Sequence, residues 1–165
     1  MIEGLDYLSV DLSSPGAMAR MDLTRMACPD STFQAIYCSH VLEHIPDDRK
    51  AISELYRVLR PGGWAVLEVP ITADKTHEDP SVVDPEERKK HFGQRDHVRR
   101  CGPDYVERVR SAGFVVQVLC STDLAAETDC RRMGFLPAPL FFCRKPSHGN
   151  ALQQGPPRQA PGRSQ

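Results

Sequence analysis

Two polar clusters hold most of the side chains able to do chemistry. Ser39-His40-Val41-Leu42-Glu43-His44 puts a hydroxyl, two imidazoles and a carboxylate within six residues, and Asp96-His97 sits among Arg95, Arg99 and Arg100. A carboxylate beside an imidazole can orient the ring and hold its proton, which makes His97 a candidate general base, while the arginines suit a carboxylate or phosphate. The competing expectation is a structural ion-pair cluster of Asp96, His97 and Arg99, with solvated arginines. His40-x-x-Glu43-His44 also spells the inverted zinc-protease motif. That reading is set aside, because Pro46 interrupts the helix that would have to hold both histidines one turn apart. Hydrogen bonding at a helix start is expected of Glu43 and His44 instead. Two further carboxylates, Asp11 and Asp22, close short apolar runs, and each taken alone is a turn-forming or capping aspartate.

The elements that must position these groups centre on residues 33–71. Phe33 to Cys38 is rich in apolar, β-branched and aromatic residues and turns polar at Ser39, as a buried strand opening onto a site would. Pro46-Asp47-Asp48 supplies a cap and an acidic first turn, and Ile52, Leu55, Tyr56 and Leu59 form one helical stripe. Pro61 stops that helix, Gly62-Gly63 allows a reversal, and Trp64 to Val69 is a second apolar run. Strand, helix and strand with so long a crossover predict a parallel βαβ unit.

Downstream, Thr72 to Arg100 is a polar, densely charged excursion, placed where lids and substrate loops cover the crevice of an open α/β sheet. Within it Asp84-Pro85-Glu86-Glu87 is a helix start and Gly93 its stop. Pro103, Tyr105, Val106, Val109, Ala112 and Gly113 predict another sheet-covering helix, and Phe114 to Leu119 its strand. A polar connection with a helical turn follows over 120–134, then a last strand over Leu140 to Arg144. The domain is expected to span 1–145, with a disordered Pro/Gly/Gln-rich tail over 146–165.

A chain of 165 residues suits one core, and a formal net charge of −1 gives no global reason to expect nucleic acid as partner. No basic leader or bilayer-length apolar run is present, so a cytoplasmic protein without membrane contact is expected. Six cysteines without a Cys-x-x-Cys pair are read as reduced, mostly buried thiols.

Phe33-x-x-Ile-x-x-Ser-x-Val-Leu-Glu-His-Ile, continued by Glu54-Leu-x-Arg-Val-Leu-Arg-Pro-Gly-Gly and an apolar strand, resembles the fourth and fifth strand region of class I S-adenosylmethionine-dependent methyltransferases, in particular the type 11 group. Phe92-Gly-Gln-Arg-Asp-His-Val-Arg and Gly102-x-Asp104-Tyr105 resemble a signature of the same group, although Cys101 stands where an aromatic residue is expected. The resemblance runs from about Tyr7 to about Leu119. It implies a Rossmann-like α/β sheet with helices on its faces, S-adenosylmethionine as cofactor and a small-molecule acceptor.

By the same resemblance Asp11 would accept hydrogen bonds from both ribose hydroxyls, with Leu12 lining the pocket. Asp22 would receive the adenine amino group, Leu23 would offer its backbone N–H to the ring, and Ser39 would contact the methionyl or ribose part. Some quinone-pathway members hold a divalent metal with acidic and histidine residues near here, which His40, Glu43 and His44 imitate, but no metal is expected. In-line methyl transfer depends chiefly on alignment and needs a base only when the acceptor must lose a proton.

The resemblance begins at the family's second strand, so the sheet is expected to be N-terminally incomplete, without the first strand and its glycine-rich or equivalent turn. Two expectations follow. Either the chain is a methyltransferase whose missing element is supplied elsewhere, or it is a non-catalytic relative that binds a protein partner or itself, as a homodimer, through the uncovered sheet region.

Overall fold

The computed structural model describes residues 6–133 and 139–147, so nearly all of the expected tail lies outside the described residues. Two short strands come first, β1 (Val10–Asp11) and β2 (Ala19–Arg20), paired in parallel. They are briefer than the apolar runs suggest, because the Asp, Ser, Pro and Gly between them favour turns over ladder.

The central unit follows as expected. Strand β3 (Phe33–Ser39), helix α1 (Asp48–Val58) and strand β4 (Leu59–Glu68) form a βαβ crossover with β3 and β4 parallel. Asp47 caps α1 by accepting from the Lys50 amide. Its core face holds Ala51, Ile52, Leu55 and Val58, all buried, while Tyr56 packs at the margin. The helix ends earlier than Pro61 alone requires: Leu59 is already extended and pairs with Phe33. A register shift between Phe33 and Ala35 absorbs Arg60 to Gly63, and Gly62 takes a φ of 77° there.

The polar excursion contains β5 (His77–Glu78), α2 (Pro85–Phe92) and β6 (Arg99–Arg100), with β5 and β6 antiparallel. Asp84 caps α2 through the Glu86 and Glu87 amides, and Gly93 ends it at a φ of 95°. A 3₁₀ turn over Pro103–Tyr105 then leads into α3 (Val106–Ser111) and β7 (Val115–Leu119). Two short helices, α4 (Ser121–Leu124) and α5 (Glu127–Met133), precede β8 (Leu140–Arg144).

The main sheet has the order β3-β4-β8-β7, with β8 antiparallel to both neighbours. One core under it joins α1, α3 and the inward residues Ala65, Leu67, Phe141 and Cys143. Among the described residues no ladder joins β1-β2 to this sheet, and β3 is its edge, with Tyr37 73% exposed. The β1-β2 segment is held instead by Met21, Leu23 and Met26 against the core and by the Met26 amide, which donates to Glu54 at 2.9 Å.

Candidate functional site

Parallel strands end on a common rim, and ligands of open α/β sheets bind outside that carboxyl end. Here the rim belongs to β3 and β4, whose last paired residues are Ser39 and Glu68. The Ser39 hydroxyl donates to Glu68 Oε2 at 2.6 Å. His40 then leaves the strand with a φ of 54°, in the left-handed region, which turns the chain sharply and leaves its ring 58% exposed. The next turn is a 3₁₀ helix of three residues, Leu42–His44, rather than the α-helix that a paired-histidine zinc motif needs.

That turn sends Glu43 inward. Its side chain is 1% exposed, and neither carboxylate oxygen has a hydrogen-bond partner. Helix-start hydrogen bonding, expected of Glu43, is therefore not what its carboxylate does. His40 Nδ1 stands 3.5 Å and His44 Nε2 3.9 Å from Glu43 Oε1. The second polar cluster arrives from the excursion: the Val98 amide donates to the Glu43 carbonyl, and the buried His97 ring meets His44 edge-on with centroids 4.7 Å apart. Asp96 Oδ2 lies 3.3 Å from His44 Nδ1, so its partner is His44 and not Arg99. Burial, and then the charge of Glu43, push the nearby Cys38 thiol up to about 12.

The arginines separate. Arg95 pairs with Glu86 on the surface, and Arg100 reaches Thr72. Arg99, in contrast, is 1% exposed and donates to the carbonyls of Leu42, Ile45 and Pro46 and to Glu78. Neither a solvated residue nor a free anion binder, it fastens the excursion beneath the rim. Asp48, Tyr105 and Arg108 complete this buried network, which spacing alone did not announce because its members are up to 60 residues apart.

Asp11 and Asp22 both lie at the carboxyl end of the β1-β2 pair, where the Met21 amide donates to the Asp11 carbonyl. Each carboxylate braces its own turn. Asp11 Oδ1 accepts from the amides of Ser13 and Ser14, and Asp22 Oδ1 from the amide and hydroxyl of Thr24. These bonds hold both carboxyls below the usual range. Leu12 is exposed, while Leu23 packs against the core. The structure thus brings Asp11 to Asp22, and Ser39 to His40, Glu43 and Glu68, on two separate ladders.

Sheet order, the parallel crossover and the rim define a Rossmann-like α/β fold. A candidate methyltransferase of Bacillus halodurans C-125 shares the fold, with a TM-score of 0.50 at 17% identity over 79% of this chain and 78% of that one. The [4+2]-cyclase SpnF does so at 0.52 and 19% identity, over 78% and 56%. Residues 4–67 match the family described as "Methyltransferase domain", type 11. Among curated proteins, the chain is 36% identical over 64 residues to the probable methyltransferase ltbC of Aspergillus luteorubrus, covering 35% of this chain and 22% of that protein. It is 44% identical over 46 residues to the demethylmenaquinone methyltransferase of Streptomyces avermitilis, covering 28% and 20%. The matched stretches thus span about a fifth of these relatives' length.

Proposed function

We propose that the domain, taken as residues 1–145, is an S-adenosylmethionine-dependent methyltransferase unit acting on a small-molecule acceptor in the cytoplasm. The observation that carries this reading is the family match over residues 4–67, which includes both aspartate turns and the Ser39 rim. The small-molecule acceptor is supported by a relative named for demethylmenaquinone and by sterol 24-C-methyltransferase relatives, 36% identical over 52 residues. No helix among the described residues is long and apolar enough to cross a membrane.

In this reading Asp11, Leu12, Asp22, Leu23 and Ser39 face the cofactor. Because Asp11 Oδ1 is taken by two amides, a ribose diol meets chiefly the other oxygen. Transfer proceeds by alignment of acceptor and sulfonium carbon, and His97, 5% exposed behind His44, is not used as a base. Calorimetric titration of the chain with S-adenosylmethionine tests the proposal. Saturable binding that Asp11→Ala weakens about tenfold, the loss of a charge-assisted hydrogen bond, supports it.

A second reading is favoured by the open edge of β3. Tyr37 is 73% exposed there, and Leu12 and Met18 are 59% and 61% exposed in the β1-β2 segment. Such an edge pairs readily with another strand, which fits a non-catalytic domain that self-associates or takes a protein partner. Cofactor silence together with a dimer in sedimentation velocity would select it.

A further inference from the structure

Glu43 poses a physical problem that the methyl-transfer reading leaves unsolved. A carboxylate 1% exposed loses its hydration, and Glu43 gains no hydrogen bond in return, only imidazole nitrogens of His40 and His44 at 3.5 and 3.9 Å from Oε1. Around it, Glu43, His44 and His97 each offer one ligand atom, and the three atoms lie within 4.8 Å of one another. We propose that these three side chains form a binding site for a divalent transition-metal ion of the zinc type.

The donor set selects the ion. Two imidazoles and one carboxylate suit zinc and its first-row neighbours, whereas calcium and magnesium prefer all-oxygen shells. Bonds of about 2.0–2.2 Å in a tetrahedral site put adjacent ligand atoms roughly 3.4 Å apart, so a contraction of at most about 1.4 Å by side-chain rotation closes the set. His44 is already aimed for this: Nε2 faces Glu43, while Nδ1 faces Asp96 Oδ2 at 3.3 Å. A carboxylate behind a ligating histidine fixes its tautomer and raises its basicity. The His44 ring is 32% exposed, which gives an entry path, and three protein ligands leave a coordination position for water or an oxygen-bearing ligand. The set is not the one spelled by the local sequence, since exposed His40 is replaced by buried His97 from the excursion.

The test uses the full chain, stripped with a chelator and kept free of S-adenosylmethionine, so its result stands apart from the cofactor reading. Zinc is titrated by calorimetry, and cobalt(II) by its visible absorption. One equivalent per chain is expected, with a cobalt spectrum of a four- or five-coordinate site. Glu43→Gln and His97→Asn should each weaken zinc binding at least tenfold with the far-UV circular dichroism unchanged, Asp96→Asn should weaken it less, and His40→Ala should leave it intact. The wild-type cobalt spectrum decides the matter if a buried substitution unfolds the chain. Absence of saturable uptake by the wild type overturns the site, as does uptake that depends on His40 and ignores His97.

Discussion

Tyr105 donates its phenolic hydrogen to Asp48 Oδ2 at 2.7 Å, tying the first turn of α1 to the turn that opens α3 across 57 residues of chain. The same carboxylate receives Arg108 at 3.0 and 3.1 Å and stands 3.5 Å from Arg99 Nε, with the Asp48 and Arg99 side chains 3% and 1% exposed. Burial, and then the neighbouring Asp48 charge, raise the Tyr105 hydroxyl well above its ordinary value, so it acts only as a donor. Removing one donor and removing the acceptor should differ. Tyr105→Phe leaves Asp48 with its arginines and should cost about 1–2 kcal/mol. Asp48→Ala takes the acceptor from Tyr105 and Arg108 and leaves Glu78 as the one carboxylate facing Arg99 among the described residues, and should cost ~3–5 kcal/mol. Urea midpoints of the two variants check the order.

Acid should loosen the excursion before it unfolds the core. Hydrogen bonds from Arg108, then Arg99, hold Glu78 below its ordinary value of 4.5 against the opposing effect of burial. A carboxyl depressed by folding contributes stability that is fully present above its unfolded value and is lost as pH falls through its folded one. The loss therefore begins below about pH 4.5 and is small, because the Glu78 side chain is 38% exposed. Hydrogen exchange on residues 77–100, followed from pH 6 to pH 3, should show protection falling there first. Glu78→Gln should abolish that lead.

Two glycines should respond differently to alanine. A Cβ on Gly63 meets the carbonyl oxygens of Arg60 at 2.8 Å and Gln34 at 2.9 Å, so the β3-β4 register must shift. Gly63→Ala should cost about 2–3 kcal/mol. At Gly93 a Cβ meets nothing within 4 Å, and only the φ of 95° resists it. Gly93→Ala should cost ~1 kcal/mol. Thermal melts of the two variants give the comparison.

Thiol labelling should split the cysteines. Cys38, Cys101 and Cys143 are buried, and burial pushes each up to about 12. With Cys130 also buried, only the half-buried Cys28 and Cys120 should react quickly with a thiol reagent at pH 8, the remaining four only after unfolding. Fast labelling of Cys38 in the folded chain would mean that the β3 end opens.

Much of this architecture is legible in the sequence, and the reason is local. The β3-α1-β4 crossover is announced by an apolar strand, a capped helix with one stripe and a Pro-Gly-Gly stop, each acting within a few residues. The same holds for the capped α2 and for α3 ending at Gly113, with its φ of 103°. Boundaries were less legible. The α1 stop and the true lengths of β1 and β2 depend on which ladder a residue finds, and that partner is distant in sequence.

Sequence by itself determined the similarity to the methyltransferase-domain family over residues 4–67, the parallel unit and the residue types at the rim, because these rest on short-range pattern and turn chemistry. Only the tertiary structure decided what those residues do. It occupied one oxygen of each aspartate with its own turn, buried Arg99 among carbonyls, turned His40 outward and brought His97 to an unpartnered Glu43. The physical reason is burial: the cost of enclosing a charge or an unpaired polar atom depends on what the fold packs around it, and no window of sequence contains that information.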